Sequence, residues 1–563
     1  MELFFDLYGF LSVALKAGTL AFRSALIGSV LTILLVTAPL ARRLPGNQAL
    51  LLERIGSRVV LGAGWGTLAF TALSTALGVV ALAGTLDVGF LEALGADFVL
   101  SGAAVMLGAL LLMALVPRRS VSARRGWTLL ALALLTLAAA VSGSHATGRP
   151  EGRGGLLAAT AAHQLGAALW LGGLPVLLLA LRAPWPASVA QAVGARYSRQ
   201  ALAGVIFILL GVLGFWRGYI QVPEALYGTA YGAMAATKGS LVLFLLALGA
   251  TNFLLLHHFA RAGAPGGWLP RLRRFVECEM IAGIAVFGIA ASLTSVPPSV
   301  DLPNDRASWA EVTERFTPTW PRFSSPSRSD LGIPALQERL DAEWRHRQDI
   351  PRPDAFIPGE GFLPPRNTFD LAWSEYNHHI AGAIVLLVGL AALLDRSGLA
   401  PWARHWPLLY LLLALFLILR SDPEAWPLGE IGLLDSLRDP EVLQHKLLSL
   451  LVVGFAVSEW MVRLRGKAGP AAYVFPLAMV LGGFLLLTHS HAIGNIKEAL
   501  LVELSHLPLG VLAVIAGCAR WVELRGGALA GGLAPAPEAR WAGWVWPGCM
   551  VLISLLLLFY RES

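Results

Sequence analysis

Residues 470–490 read PAAYVFPLAMVLGGFLLLTHS, and His491 follows directly after them. The stretch contains no Asp, Glu, Lys or Arg. About 20 consecutive apolar residues are enough for one α-helix to cross the hydrocarbon core of a bilayer. This stretch therefore predicts a membrane-spanning helix, and histidines stand at its end.

The rest of the chain repeats this pattern. Of its 563 residues, 56% are hydrophobic and only 14% are charged, and the mean hydropathy is +0.65. Similar apolar windows recur along the chain, which predicts an all-α polytopic membrane protein of about 14 transmembrane helices. The 3 cysteines share no CxxC spacing, so any soft-metal chemistry must rest on histidine or methionine.

The loop charges predict the topology of these helices. Basic residues fall in alternate loops, for example 118–125 and 271–274, whereas acidic residues fall in intervening loops such as 422–441. The positive-inside rule makes the basic loops cytoplasmic, so both termini are expected to be external. The net charge of +7 is thereby explained by topology, and nucleic acid is not an expected partner.

Hydropathy divides the chain into three parts. Residues 1–297 form an N-terminal membrane half, residues 298–370 an external proline-rich linker, and residues 371–563 a C-terminal membrane half. The linker is too short to bury a sizeable core alone. We expect the two membrane halves to fold as related helical bundles, because their histidine motifs repeat.

The repeated motifs place histidines at the external ends of predicted helices. His163 and His506 lie about eight residues into their helices, roughly 12 Å from the external end. Ionisable side chains at that depth are costly and usually face the bundle interior with a partner. Glu503 shares a helix face with His506, a spacing suited to co-ligation or to orienting the imidazole. The predicted metal site comprises His163, His506, His145, His379, His445, His489, His491 and Glu503.

Some histidines are assigned to other places. Of the adjacent pair His378 and His379, at most one can face the bundle, and we expect it to be His379. The cytoplasmic pair His257 and His258 has no evident histidine partner other than His405. We interpret that pair as part of an interfacial belt.

Two chemistries fit an external histidine layer. Imidazole is a suitable ligand for copper. Alternatively, histidines on two helices could ligate a b-type haem, with His163 and His506, or His379 and His491, as the axial pairs. No HExxH, phosphate loop or nucleophile–base motif is present, so metal binding or transport is expected rather than catalysis, with redox activity only if haem is bound.

Specific motifs resemble the bacterial copper resistance protein D (CopD) family. They are Ser144-His145-Ala146, the stretch HQLGAALWLGGL beginning at His163, and Thr229-Ala230-Tyr231-Gly232 followed by Lys238. The resemblance covers roughly residues 130–300. The second half looks like extended members of the family, in residues 373–379, 444–446 and 488–491.

The resemblance implies a protein of the bacterial inner membrane that handles copper. Family members are inferred to pass periplasmic copper inward, with a periplasmic copper chaperone as donor. No fused chaperone domain is visible in this sequence. The bundles of the family also look similar to b-type cytochromes, and haem therefore stays the alternative cofactor beside copper.

Overall fold

The computed structural model describes most of the chain as helix. The residues it describes are 2–85, 89–116, 122–259, 267–303, 306–326, 338, 341–342, 345, 368–465, 469–488, 497–527 and 536–562. Within them, 14 helices are long and apolar enough to cross a membrane. The predicted all-α polytopic membrane fold with about 14 transmembrane helices is confirmed.

Eight of these helices precede residue 294. They are α1 (Glu2–Thr32), α2 (Gly46–Thr85), α3 (Asp97–Leu115), α4 (Ala123–Ser142), α5 (Arg153–Ala167), α6 (Ala187–Phe215), α7 (Ala230–Leu254) and α8 (Trp268–Leu293). Four continue into π-helical turns, α1 into Ile33–Thr37, α5 into Ala168–Gly172, α6 into Trp216–Ile220 and α7 into Leu255–Phe259. After its π turn, the α5 span runs on as Leu174–Arg182.

The remaining helices lie after residue 294. They are the short α9 (Trp309–Arg315), then α10 (Thr368–Ser397), α11 (Leu409–Arg420), α12 (Pro440–Arg465), α13 (Val474–Thr488), α14 (Lys497–Gly526) and α15 (Pro537–Leu558). Helix α9 begins with a capping box. The Ser308 hydroxyl accepts the Glu311 N–H at 3.2 Å, and the Glu311 carboxylate accepts the Ser308 N–H at 2.6 Å.

The chain forms two compact units. The first unit comprises Phe10–Gln221 and Leu241–Thr294, and the second comprises Met1–Gly9, Val222–Ser240 and Ser295–Ser563. The described part of the predicted linker belongs to the second unit. There the Gly228 carbonyl accepts the Ala307 N–H at 3.0 Å, and Thr229 contacts Ser299 at 2.7 Å between hydroxyl oxygens.

Close helix contacts in the second unit depend on glycine. A methyl group at Gly382 on α10 would lie 2.5 Å from the Leu558 nitrogen on α15. On α13, a methyl group at Gly483 would lie 2.8 Å from the Gly510 carbonyl oxygen of α14. Because these glycines have no side chain, α10 packs closely on α15, and α13 packs closely on α14. One turn before Gly382 and Gly510 lie His378 and His506, which contact each other.

Candidate metal centre

Two histidines of different helices face each other in the second unit. His378 lies on α10 and His506 on α14, and their Nε2 atoms are 3.4 Å apart. The rings are nearly perpendicular, with an interplanar angle of 77° and centroids 5.4 Å apart. Both residues are half-buried.

The Nδ1 atom of each ring points to the backbone of its own helix. His378 Nδ1 lies 2.8 Å from the Ser374 carbonyl oxygen, and His506 Nδ1 lies 2.7 Å from the Val502 carbonyl oxygen. A carbonyl oxygen only accepts hydrogen bonds, so each Nδ1 carries the ring proton in the neutral state. The two Nε2 lone pairs therefore meet, and this contact calls for a shared cation, either a proton or a metal ion.

The spacing of the two nitrogens suits a metal ion. With metal–nitrogen distances of about 2.0–2.1 Å, a separation of 3.4 Å corresponds to an angle of roughly 110–120° at the metal. That angle fits trigonal or tetrahedral coordination. Donation of the second ring N–H to a carbonyl is also the usual way in which proteins orient metal-binding histidines. His378 and His506 thus have both the spacing and the tautomer of metal ligands.

Tyr560 covers one side of this pair. Its ring stacks on His378 with centroids 3.9 Å apart and an interplanar angle of 20°. Arg315 of α9 donates to the Tyr560 hydroxyl at 2.5 Å, and its guanidinium lies over the Tyr560 ring. Burial and the charge of Glu562 raise the pKa of Tyr560, so the phenol stays neutral. The stacking holds the His378 ring in one orientation.

A buried ion pair connects α9 to the residues that follow α15, next to Tyr560. Arg315 lies 3.6 Å from the Glu562 carboxylate, and both side chains are about 1% exposed. Ser374, whose carbonyl holds His378, donates its hydroxyl to Glu562 at 2.8 Å. These contacts join α9, α10 and the residues after α15 into one frame around the histidines.

His379 has a different environment from its neighbour. It is buried, its Nδ1 accepts the Arg322 backbone N–H at 2.7 Å, and its Nε2 donates to the Tyr560 carbonyl at 2.8 Å. With both ring nitrogens bonded to backbone, this imidazole joins the segment that contains Arg322 to Tyr560 at the end of α15. The sequence preferred His379 over His378, whereas the structure turns His378 toward His506.

His445 forms a second polar group, at the start of the span His445–Arg465. Its Nδ1 lies 2.8 Å from the Asp422 carboxylate, which also contacts Lys446 at 3.4 Å. Burial would raise the pKa of Asp422, but the hydrogen bonds from His445 and Ser421 and the charge of Lys446 lower it overall. The carboxylate is therefore ionised at neutral pH, and it orients the His445 ring as in carboxylate–histidine–metal triads.

Glu503 lies one helical turn before His506. It is 2% exposed, and its Oε2 has no hydrogen-bond partner among the residues described. The buried Glu459 of the same unit, by contrast, is paired with Arg520 at 2.5 Å. His506 is oriented by the Val502 carbonyl, so orientation by Glu503, one of the two predicted roles, is performed by the backbone instead.

The first unit contains His145 and His163. The Nδ1 of His163 lies 3.5 Å from the Ile208 carbonyl oxygen, and its ring packs edge-on against Phe215. Two basic side chains of α1 lie near these histidines. Arg23 donates to the Gln164 side chain at 3.1 Å, and the charge of Lys16 affects the pKa of His145. Desolvation and then the charge of Lys16 lower the pKa of His145 to about 4, although the residue is exposed. Nearby positive charge disfavours a bound cation here.

Two predicted ligands, His489 and His491, lie outside the described residues. Helix α13 ends at Thr488, and its Leu487 side chain packs on Gly510 of α14. The chain therefore leaves α13 about one turn from the level of His506. Within the described ranges, no group of three or more His, Cys, Asp or Glu side chains is arranged to hold a metal ion.

The histidines of the predicted cytoplasmic side have separate partners. His257 Nδ1 lies 3.1 Å from the Phe253 carbonyl oxygen, and its ring stacks on Phe253. His405 accepts the Trp460 indole N–H at 3.0 Å. These contacts are of the kind expected for residues at helix ends.

Comparison with known proteins relates part of the chain to copper proteins. The sequence profile of the family "Copper resistance protein D" matches residues 191–293. The chain is also similar to the copper transport protein CutJ of Bacillus subtilis (strain 168), with 34% identity over 140 residues. These residues are 24% of this chain and 24% of CutJ, so the chain spans about a quarter of the relative that it matches. No solved structure matches the chain.

The profile match is narrower than the resemblance seen in the sequence. It runs from within α6 to the end of α8 and includes His257 and His258. None of the candidate ligands falls within it. The relationship to copper proteins and the geometry of the His378–His506 pair are therefore two separate observations.

Proposed function

We infer that this chain, which carries a membrane region of the copper resistance protein D family, binds periplasmic copper at a histidine site and passes it into or across the bacterial inner membrane. The observation that carries the proposal is the Nε2–Nε2 approach of His378 and His506. The copper ion is the cargo in this proposal, and the two imidazoles are its first binding site inside the membrane region.

The donor chemistry supports copper. Imidazole nitrogen is a good ligand for copper ions, and the lone pairs of both Nε2 atoms point to one place. Further ligands are drawn from Glu503, one turn along α14, and from His489 and His491, which follow α13 in the sequence. His445 would receive the ion nearer the surface, where Asp422 keeps its ring oriented. A periplasmic copper chaperone would act as donor, as in the relationship that the family suggests.

Haem is less well supported than copper at this pair. Two axial imidazoles would need an Nε2–Nε2 separation of about 4 Å with a porphyrin plane between them, given metal–nitrogen distances of about 2 Å. The observed nitrogens are 3.4 Å apart, and the Tyr560 ring lies on the face of His378. His379 would have to break two backbone hydrogen bonds to become an axial ligand.

Metal analysis with a visible spectrum tests the proposal. The full chain is purified in detergent, loaded with Cu(I) under reducing conditions, desalted, and examined for copper, iron and a Soret band. We expect copper to be retained by the unsubstituted protein and strongly reduced in His378→Ala and His506→Ala. His257→Ala serves as the matched control, because the contacts that the structure describes for that ring are with Phe253, one turn earlier in the same helix.

The outcomes separate the two cofactors. A reducible Soret band with stoichiometric iron would establish the haem alternative and overturn the copper proposal. Equal copper retention in His378→Ala, His506→Ala and His257→Ala would show that the metal binds in another layer. His163→Ala and His145→Ala are tested in parallel, since the sequence places them in the same predicted site.

A further inference from the structure

Three polar side chains meet inside the first unit, away from the histidine pair. They are Glu279 of α8, Asn252 of α7 and Trp170 in the π turn after α5. Asn252 Nδ2 donates to the Glu279 carboxylate at 3.0 Å, and the Trp170 indole donates to the same carboxylate. Their exposures are 4%, 9% and 4%, respectively. Glu279 and Asn252 lie within the family match at 191–293.

Glu279 lies deep in its helix. It is eleven residues from Trp268 and fourteen from Leu293, or about 16 Å and 21 Å from the two ends of α8. In a hydrocarbon core about 30 Å thick, that is near the middle of the membrane. An acidic side chain at such a depth is costly and usually has a function.

The carboxyl group of Glu279 is bonded to neutral donors. Among the described residues, its hydrogen-bond donors are the neutral side chains of Asn252 and Trp170. Glu277, two residues earlier in the same helix, is paired with Arg182 at 2.6 Å. Asn252 Oδ1 is also buried and has no donor in the described part of the chain. The site therefore contains one unneutralised acid and one unsatisfied acceptor.

The local backbone leaves room for the acid. A methyl group at Gly249, on α7, would lie 3.0 Å from Glu279 Oε1 and 3.8 Å from the Trp170 ring. Trp170 belongs to the π turn Ala168–Gly172, and such turns are often found at functional sites. Tyr197 donates its hydroxyl to the Trp170 carbonyl and so fixes that turn. Three helices are thus adapted around one carboxyl group.

We propose that Glu279, with Asn252 as its switching partner, is a proton-binding site within the membrane region. One proton passes from a hydronium ion to the carboxylate: an O–H bond of hydronium breaks, the O–H bond of the carboxyl group forms and water is left, and release reverses these changes. In the ionised state the Asn252 amide donates to the carboxylate. In the protonated state a half-turn of the amide lets Oδ1 accept the new O–H, which satisfies the acceptor that lacks a donor.

This proposal does not depend on copper at the histidine pair. It concerns another unit and another ion, and it can hold if the histidine proposal fails. A protein that takes up a proton in mid-membrane has the group needed to exchange protons while it moves another cation.

Infrared difference spectroscopy of the full chain in detergent, without copper, tests the site. The protonated carboxyl group has a carbonyl stretching band that shifts in heavy water and that ionised carboxylates lack. We expect the band in the unsubstituted protein at neutral pH and the loss of its Glu279 component, seen as a fall in intensity, in Glu279→Gln, since the buried Glu503 keeps its own contribution. Glu277→Gln is the matched control, because its carboxylate is paired with Arg182. The control should keep the band.

Milder variants keep the test valid if Glu279→Gln does not fold. Gly249→Ala and Asn252→Leu retain the acid but alter its surroundings, so the band should persist at a shifted frequency. An unchanged band in Glu279→Gln, or no band in the unsubstituted protein at any pH that it tolerates, would overturn the proposal. A band that sodium or potassium removes at constant pH would assign the site to a metal cation instead of a proton.

Discussion

The neighbouring residues His378 and His379 should respond in opposite ways to replacement by alanine. His379→Ala removes an acceptor from the Arg322 N–H and a donor from the Tyr560 carbonyl. A buried polar group without a partner costs about 1–3 kcal/mol, so this variant should lose about 2–6 kcal/mol of stability. His378→Ala loses the stacking on Tyr560, worth about 0.5–1.5 kcal/mol.

Copper affinity should show the reverse order. Loss of an outer-shell group typically lowers metal affinity about 10–100-fold, and His378→Ala removes a proposed ligand, so its loss should exceed about 100-fold. His379→Ala should stay within about 10-fold of the parent wherever it is folded, since it supplies no ligand. Thermal unfolding of the detergent-purified protein measures the first effect. Titration of Cu(I) against a coloured chelator measures the second.

His257→Ala again provides the control and should change neither the unfolding temperature nor the affinity for Cu(I). The reasoning is refuted if His379→Ala and His378→Ala lose copper equally while both keep the parental unfolding temperature. It is also refuted if His379→Ala alone loses copper, because the ligand would then be the ring that the structure bonds to backbone.

Two further substitutions, Asp422→Asn and Arg315→Ala, give three predictions from the same geometry. Asp422→Asn should lower copper uptake about 10–100-fold by releasing the His445 ring, as measured by the initial rate of copper binding. The pKa of Asp422 lies below its ordinary 3.8, so its pairing with His445 stabilises the fold above that value and is lost only as the pH falls below it. In acid unfolding titrations the parent should therefore lose this contribution below about pH 4. The Asp422→Asn variant should show no such loss. Arg315→Ala should destabilise the protein by about 3–5 kcal/mol, because Glu562 would stay buried without its partner, and a variant as heat-stable as the parent would contradict the buried ion pair.

The sequence was sufficient to predict the fold, because about 20 consecutive apolar residues are enough to identify a helix that spans a bilayer. The stretch 470–490 was predicted from its apolar length, and the corresponding span is Pro470–Thr488. The contacts of the segment that contains α9 were less predictable. Its contacts join residues far apart in the chain, such as Arg315 with Tyr560, and no local pattern encodes them.

The sequence predicted how far along its helix His506 lies, but not the direction in which the side chains of His378 and His379 point. The position of His506, well inside a helix, marked it as a candidate, and it is one member of the close pair. Adjacent residues of a helix point about 100° apart, so sequence alone could not decide between His378 and His379. One available signal was Gly382, which is four residues after His378 and packs against Leu558 on the same helix face.

The structure was also needed to identify the residue that contacts His506. The repeated motifs suggested His163 as the counterpart of His506, whereas in the structure the imidazole that lies against His506 is that of His378. Tyr560 gave no sequence signal, because an aromatic residue at a helix end is usually a membrane anchor. Its role becomes visible only from its stacking on His378 and its bond from Arg315.

X-ray absorption at the copper edge, recorded on the Cu(I)-loaded full chain and on His506→Ala, tests the central claim most directly. We predict at least two nitrogen neighbours at about 2 Å in the parent, with the outer-shell scattering of imidazole, and fewer imidazoles or no bound copper in the variant. A spectrum that lacks imidazole scattering, or one that is identical in parent and variant, would contradict a copper site built on His378 and His506.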